Sequence, residues 1–191
     1  MIGTKINDTE LVIKAQNGDR NAYSELVRVH SQGVLKVVYR MCGNKHLAED
    51  AAQEAFIQAW LKLPSYKPRA SFRSWLYRIA VNSAIDILRK EKRILPGAVE
   101  DYYLTDENPG PESLLASTER AEIVRKAVVA LPDASRAVLI LREYEGFSYQ
   151  EIAESLDIPI GTVMSRLNYA RKLLKEKLEK HLFSYAEAVN V

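Results

Sequence analysis

Residues 149–171, YQEIAESLDIPIGTVMSRLNYAR, place the strongest constraint on how this chain folds. Ile152, Ala153 and Leu156 recur at helical spacing, which predicts a short helix with one apolar face. Pro159 then interrupts the pattern, because proline has no backbone N–H to donate and disfavours the α region for the residue before it. The stretch therefore predicts a helix followed by a tight turn.

A second helix is expected to begin near Thr162, with that residue as the N-cap or in the first turn. Val163, Leu167 and Ala170 form its apolar stripe, at positions i, i+4 and i+7. The residues left on or near the opposite face are Ser165, Arg166, Asn168 and Tyr169. Such a pair is a helix-turn-helix, whose second helix can enter a DNA major groove, although an ordinary helical hairpin has a similar pattern. The basic residues that follow favour DNA binding.

Composition favours an all-α fold. Hydrophobic residues make up 47% of the 191 residues, which is enough for real cores, and the 8 glycines and 7 prolines cluster at boundaries. Cys42 is the single cysteine, so neither an intrachain disulfide nor a multi-cysteine zinc site is expected. We therefore expect helices joined by short breaks, without cofactor or metal.

Neither a membrane protein nor an enzyme is indicated. No apolar run approaches the ~20 residues that cross a bilayer, and the first ten residues lack the apolar core of a signal peptide. His30, His46 and His181 are scattered, and there is no glycine-rich phosphate loop. The sequence thus predicts a soluble cytoplasmic protein without catalytic residues or a small-molecule substrate.

Charge and proline content divide the chain into two domains. Residues 1–93 carry 16 basic and 9 acidic residues, whereas residues 94–118 carry five acidic residues and no basic one. Residues 119–191 carry 11 of each sign. We predict helical domains over residues 9–93 and 119–181, joined by an acidic flexible linker over 94–118, with both domains facing polyanions.

Three blocks, taken in order, resemble one protein family. They are AEDAAQEAFIQAW (48–60), SFRSWLYRIAVNSAIDILRK (71–90) and LPDASRAVLILREYEGFSYQEIAESLDIPIGTVMSRL (131–167). Together they are similar to the extracytoplasmic-function class of bacterial RNA polymerase sigma factors. The resemblance implies a region 2 domain and a region 4 domain. It also implies binding to core RNA polymerase, recognition of −10 and −35 promoter elements, assistance in DNA melting, and regulation by an anti-sigma factor.

One face of the helix predicted over 47–63 suits a protein partner. Its members follow the pattern i, i+3, i+4, i+7, i+11 and are Asp50, Gln53, Glu54, Ile57 and Leu61. The mixed acidic and apolar character fits docking on a basic helical surface, but a solvated face has the same pattern. In the family, the motif that corresponds here to Asp50, Gln53 and Glu54 makes contact with the clamp coiled coil of the largest polymerase subunit.

The helix predicted from Ser71 or Phe72 to Lys92 combines aromatic and basic residues, as single-stranded DNA sites do. Aromatic residues are equally suited to a core, so at least one of Phe72, Trp75 and Tyr77 is expected to be structural. In the family, this helix and the preceding loop recognise the melted −10 element, and Asn82 and Asp86 match positions that face it. The resemblance implies a −10 surface made of Ser71, Phe72, Trp75, Arg78, Asn82, Asp86, Arg89 and Lys90.

The recognition helix departs from the family pattern. Met164 stands where a basic residue is usual, and Asn168 and Tyr169 replace two further common residues, one of them arginine. Each missing phosphate contact is expected to weaken binding and lower its salt dependence. The predicted −35 surface consists of Thr162, Met164, Ser165, Arg166, Asn168, Tyr169 and Arg171. Its preferred DNA sequence is expected to differ from the common one.

The main alternative is a conventional helix-turn-helix repressor or activator. That function explains the C-terminal domain but leaves residues 48–90 without a purpose. A repressor should bind its duplex specifically by itself, whereas a sigma factor should require core polymerase. The two hypotheses therefore differ in a single binding measurement.

Overall fold

The computed structural model describes the backbone of residues 8–67, 71–94 and 115–189, and the side chains of residues 8–67, 71–94 and 121–179. Every regular element in these segments is a helix, which confirms the predicted all-α class. The α-helices are α1 (Asp8–Gln16), α2 (Arg20–Cys42), α3 (Lys45–Lys62), α4 (Phe72–Ile94), α5 (Leu115–Val129), α6 (Asp133–Glu143), α7 (Tyr149–Leu156) and α8 (Ile160–Val189). A short 3₁₀ helix, Leu63–Ser65, follows α3.

Helices α2, α3 and α4 pack against one another to form the first group. On α3, the inward positions Ala51, Ala55 and Ala59 are fully buried, and their small side chains allow the helix to approach its neighbours closely. The side chain of Asp19 accepts hydrogen bonds from two backbone N–H groups at the start of α2. Gly43 ends that helix at φ 71°, a left-handed conformation that glycine adopts without strain.

Helices α6, α7 and α8 form the second group, which contains the predicted helix-turn-helix. The Ser148 hydroxyl accepts from Glu151 N, and the Glu151 carboxylate accepts from Ser148 N at 2.8 Å. This capping box defines the start of α7. Asp157 ends α7 at φ 55°, and the chain turns directly into α8. The buried stripe predicted on α8, namely Val163, Leu167 and Ala170, is confirmed.

Three helices begin earlier than the sequence predicts, and the first of them is α3, which spans Lys45–Lys62 and not residues 47–63. Helix α8 begins at Ile160, because the carbonyl of Pro159 already accepts from Thr162 N at 2.8 Å and Val163 N at 3.1 Å. Thr162 is therefore a first-turn residue and not the N-cap. Helix α5 begins at Leu115, inside the predicted linker. The rest of that linker, residues 95–114, lies outside the described residues.

The two helical groups are packed together. Helix α2 contacts α5 and α6, and α4 contacts α7. One continuous cluster of buried apolar residues runs through both groups.

Candidate nucleic-acid and partner interfaces

The outer face of α3 combines acidic, polar and apolar residues that are exposed to solvent. Asp50, Gln53 and Glu54 are exposed, and Ile57 and Leu61 are 47% and 64% exposed. The structure thus brings the five predicted docking residues together on one surface. Burial of exposed aliphatic side chains by a partner is favourable in free energy. This face can therefore act as a docking surface.

An apolar groove of about 410 Å³ borders this face between α2 and α3. Ile57 and Leu61 form one side, while Tyr23 and Trp60 contribute aromatic rings whose centroids are 4.8 Å apart. The Tyr23 hydroxyl donates to the Phe56 carbonyl at 2.5 Å, and burial raises the pKa of Tyr23 to about 12. Tyr23 therefore stays neutral and fixes the groove wall. Sequence reasoning missed this residue, since it lies on a different helix from the predicted face.

A larger groove of about 1,040 Å³ runs between α3 and α4. Most of the predicted −10 residues line it, namely Trp75, Arg78, Asn82, Asp86, Arg89 and Lys90. Asp50 and Glu54 line the opposite wall, so the predicted docking and −10 surfaces share one groove. Asn82 is exposed and presents both a donor and an acceptor there, which suits a base edge.

The remaining predicted −10 residues have local structural roles. The Ser71 hydroxyl accepts from Ser74 N at 3.1 Å and so caps α4. Phe72 is only 6% exposed and packs against the rings of Tyr66 and Trp75, with centroid distances of 6.1 and 5.6 Å. Its burial fits the core role that the sequence left open for one of these aromatics. Trp75 is half-buried at the edge of this cluster, with part of its ring accessible.

The helix-turn-helix presents a mixed polar and apolar face. Met164 and Tyr169 are about half exposed, and Ser165, Asn168 and Arg171 are exposed, whereas Arg166 and Thr162 are partly covered. Ile160, which sequence reasoning did not select, is also about half exposed on the same helix. The spacing Ile160, Met164, Asn168 places these three residues in one row. The face can therefore contact both thymine methyl groups and polar base edges.

The guanidinium of Arg171 is oriented by an ion pair. Its Nη2 atom donates to Glu143 Oε1 at 2.6 Å, which links α8 to the end of α6. This pair raises the pKa of Arg171, although the group is already cationic at any physiological pH. Arg171 thus remains a permanent positive charge within the predicted −35 surface.

Other kinds of site have no support among the residues described. Within those segments, no three His, Cys, Asp or Glu side chains come close enough to hold a metal ion. None of the helices seen there is long and apolar enough to cross a membrane.

Comparison with known proteins identifies both helical groups. Residues 26–94 match the family Sigma-70 region 2, and residues 121–174 match Sigma-70, region 4. The ECF RNA polymerase sigma factor SigW of Bacillus subtilis is 35% identical over 190 residues, covering 88% of this chain and 98% of SigW. The ECF RNA polymerase sigma-E factor of Escherichia coli K12 is 35% identical over 184 residues, covering 92% of this chain and 96% of that factor.

Two solved structures share the fold. One is CnrH in complex with the cytosolic domain of CnrY, with a TM-score of 0.66, 24% identity, and coverage of 91% of this chain and 97% of CnrH. The other is the sigma factor RpoE in complex with the anti-sigma factor NepR from Bartonella quintana, with a TM-score of 0.63 and 24% identity. That match covers 82% of this chain and 96% of RpoE.

Proposed function

Because this chain belongs to the extracytoplasmic-function (ECF) family of RNA polymerase sigma factors, we propose that three surfaces of its helices divide the work of initiation. The protein is a transcription initiation factor that binds core RNA polymerase, directs it to promoters through −10 and −35 elements, and promotes melting of the DNA. It acts in the bacterial cytoplasm, where the polymerase works. The polymerase catalyses RNA synthesis, whereas this chain positions the polymerase on the promoter and contributes binding free energy.

The first surface is the outer face of α3, which docks on the core enzyme. The observation that carries this proposal is the exposure of Ile57 and Leu61 directly beside the carboxylates of Asp50 and Glu54. The apolar pair supplies affinity on burial, while the carboxylates steer the face towards a basic partner surface.

A titration against core polymerase tests this docking role. Asp50→Ala combined with Glu54→Ala should weaken association and leave the thermal melting temperature nearly unchanged, because both side chains are exposed. The matched control is Glu10→Ala with Glu154→Ala, which removes the same charge from exposed positions on α1 and α7, outside the proposed face. Equal affinities for the two double variants would show that net charge, and not this face, determines binding.

The second surface is the groove between α3 and α4, which receives the opened −10 strand. Trp75 offers a ring edge, Asn82 offers hydrogen bonds to a base, and Arg89 and Lys90 offer positive charge to the backbone. Capturing unpaired bases offsets the few kcal/mol that opening the duplex costs. Binding of the single strand in this groove would therefore stabilise the open complex.

The third surface is the exposed face of α8, which reads the −35 element. Met164 makes apolar contact with a thymine methyl group, and Arg171 supplies positive charge to the phosphates at the C-terminal end of this face. The helix lacks the basic residue common in the family at position 164 and the arginine common at one of positions 168 and 169. It therefore binds −35 DNA weakly in the absence of core polymerase. This arrangement makes promoter binding dependent on the polymerase.

An anti-sigma factor is proposed as the regulatory partner. CnrH, which shares the fold, is known in a complex with the cytosolic domain of CnrY, and the sigma factor RpoE is known in a complex with the anti-sigma factor NepR. An inhibitor that covers the apolar groove beside Ile57 and Leu61 would compete directly with core polymerase. In the titration against core polymerase, such an inhibitor should compete with the polymerase for this chain and so raise the apparent Kd.

A further inference from the structure

Helix α1 lies outside the three proposed surfaces, yet its last residue holds the segment that leads from α3 towards α4. The Gln16 side chain donates through Nε2 to the Leu63 carbonyl at 3.0 Å and to the Tyr66 carbonyl at 2.9 Å. Leu63 is the first residue of the 3₁₀ helix, and Tyr66 is the residue that follows its end. One amide group therefore fixes both ends of this turn.

Tyr66 links that turn to the aromatic cluster beside the −10 groove. Its backbone N–H donates to the Leu63 carbonyl at 3.0 Å, and the residue is only 9% exposed. Its ring packs on the Trp75 ring at a tilt of 45°, with centroids 4.7 Å apart. Trp75 in turn lines the groove proposed for the melted strand. Successive contacts thus run from Gln16 through Tyr66 to the wall of the groove.

The first residue of α1 is linked to the same cluster. Asp8 Oδ2 lies 3.1 Å from His30 Nε2, and the His30 ring meets Phe72 edge-on with centroids 5.3 Å apart. Burial raises the pKa of Tyr66, and the negative charge of Asp8 raises it further. Helix α1 is therefore connected to the aromatic cluster at both of its ends.

The orientation of the Trp75 ring depends on these neighbours as well as on α4. The side chain is half-buried, so one part packs on Tyr66 and Phe72 while another part is accessible. A side chain on a helix has more than one staggered rotamer, and packing selects among them. Contacts between aromatic rings depend on their offset and tilt. A shift of Tyr66 should therefore weaken the stacking of a DNA base on Trp75.

We propose that Gln16 is a positioning residue for the −10 element, because its amide holds Tyr66 where the Tyr66 ring orients Trp75 for an unpaired base. The inference rests on the proposed function of the α3–α4 groove and extends it by giving α1 a role in promoter opening. Donation is the property that matters, since both partners of the amide are carbonyl oxygens. A carboxylate at this position cannot donate to them and repels them.

Fluorescence of the free chain tests the positioning step without DNA. Trp60→Phe leaves Trp75 as the only tryptophan and keeps an aromatic ring beside Tyr23. In this background, Gln16→Glu should increase acrylamide quenching and shift the emission to longer wavelength. The matched control is Asn17→Asp, which makes the same amide-to-carboxylate change at the next residue, where the side chain is exposed. The same quenching and emission in Gln16→Glu and the control would overturn the proposal.

A titration with single-stranded −10 DNA tests the consequence, using holoenzyme assembled from core polymerase and the full chain. Gln16→Glu should lose at least about fivefold in affinity for the strand, the lower end of what stacking of one base contributes. Asn17→Asp should stay within about twofold, as exposed substitutions usually do. The Kd for core polymerase should change by less than about twofold in both variants. Equal losses of strand affinity and core affinity in Gln16→Glu would make Gln16 merely structural and overturn the proposal.

A double-mutant cycle tests whether Gln16 acts through Trp75. Trp75→Ala removes the ring on which the base stacks. In that background, Gln16→Glu should cost less than about twofold in affinity for the −10 strand, because contacting residues are not additive when one acts through the other. Losses that multiply fully in the double variant would overturn the assigned route.

Two further variants keep the proposal testable. If Gln16→Glu does not fold, Gln16→Met takes its place, since it has similar length but neither a donor nor a charge. Gln16→Lys restores N–H donors and should keep the strand affinity within about twofold of Asn17→Lys, which adds the same charge at the exposed position. A loss in Gln16→Lys as large as that in Gln16→Glu would overturn the role of donation.

The two kinds of measurement separate this inference from the proposed function. If wild-type holoenzyme does not prefer the −10 strand to a scrambled strand, the proposed function of the groove fails. The quenching of Trp75 in the free chain still decides whether Gln16 positions that ring.

Discussion

Truncation of the two exposed aliphatic residues on α3 should weaken binding to core polymerase without unfolding the protein. Ile57→Ala and Leu61→Ala each remove three carbons, worth about 0.8 kcal/mol per carbon on full burial. The side chains are 47% and 64% exposed, so a partner covers roughly half of each. The double variant should therefore lose about 2–3 kcal/mol of binding free energy, or roughly 30- to 150-fold in Kd.

A fluorescence titration of labelled protein against core polymerase measures this loss. Ile13 and Leu35 are 54% and 41% exposed on α1 and α2, away from the proposed face. Ile13→Ala with Leu35→Ala is therefore the matched control and should leave Kd within about twofold. Thermal unfolding of both double variants checks that neither has lost its fold. A loss of affinity shared equally by the two double variants, or absent from both, would refute the docking face.

Three further predictions concern DNA opening, promoter choice and pH. Asn82→Ala should reduce open-complex formation more than closed-complex binding, since the side chain faces the groove proposed for the melted strand. Permanganate footprinting of unpaired thymines measures the difference. Equal loss of both complexes would assign Asn82 to a structural role. Met164→Arg should tighten binding to the −35 sequence common in the family and steepen its salt dependence by about one unit, because it adds a phosphate or guanine contact. A selection from randomised −35 sequences compares the wild type with this variant. Identical preferences of the two proteins would show that position 164 does not face DNA. Burial raises the pKa of Cys42 from 9.0 and of Tyr23 from 10.0, each to about 12. Both groups are neutral when protonated, so the free energy of unfolding should hold below pH ~9 and fall as the pH rises towards 12, by up to about 1.4 kcal/mol per pH unit for each group. Urea unfolding of Cys42→Ala and Tyr23→Phe should show a shallower fall, and an unchanged slope would contradict the assigned pKa values.

Local patterns were sufficient to predict helices α3 and α4 and the helix-turn-helix. Local sequence also explains the bounds of α6, because Pro132 directly precedes it and the apolar period ends at Glu143. The buried stripe of α8 was equally predictable, since i, i+4 and i+7 residues share one face. The early start of α8 was not, because it depends on the Pro159 carbonyl acting as the first acceptor.

The contacts between the two groups have no local signature. Glu145 meets Arg73 across 72 residues of chain, and Arg136 meets the Met41 carbonyl across 95. No periodicity links residues so far apart, and a single sequence contains no information on which charges pair. The same limit explains the role of Tyr66, whose ring completes the cluster around Phe72 and Trp75 from outside α4.

In vitro transcription with purified core polymerase on a library of genomic fragments, followed by mapping of RNA 5′ ends, tests directly whether this chain acts as a sigma factor. A sigma factor should produce discrete start sites only when the chain and core enzyme are both present, and those sites should share one pair of upstream elements. The chain alone should show no specific retention of promoter duplex. Specific duplex binding by the chain alone, combined with unchanged transcription by core polymerase, would show that the protein is a repressor or activator and not a sigma factor.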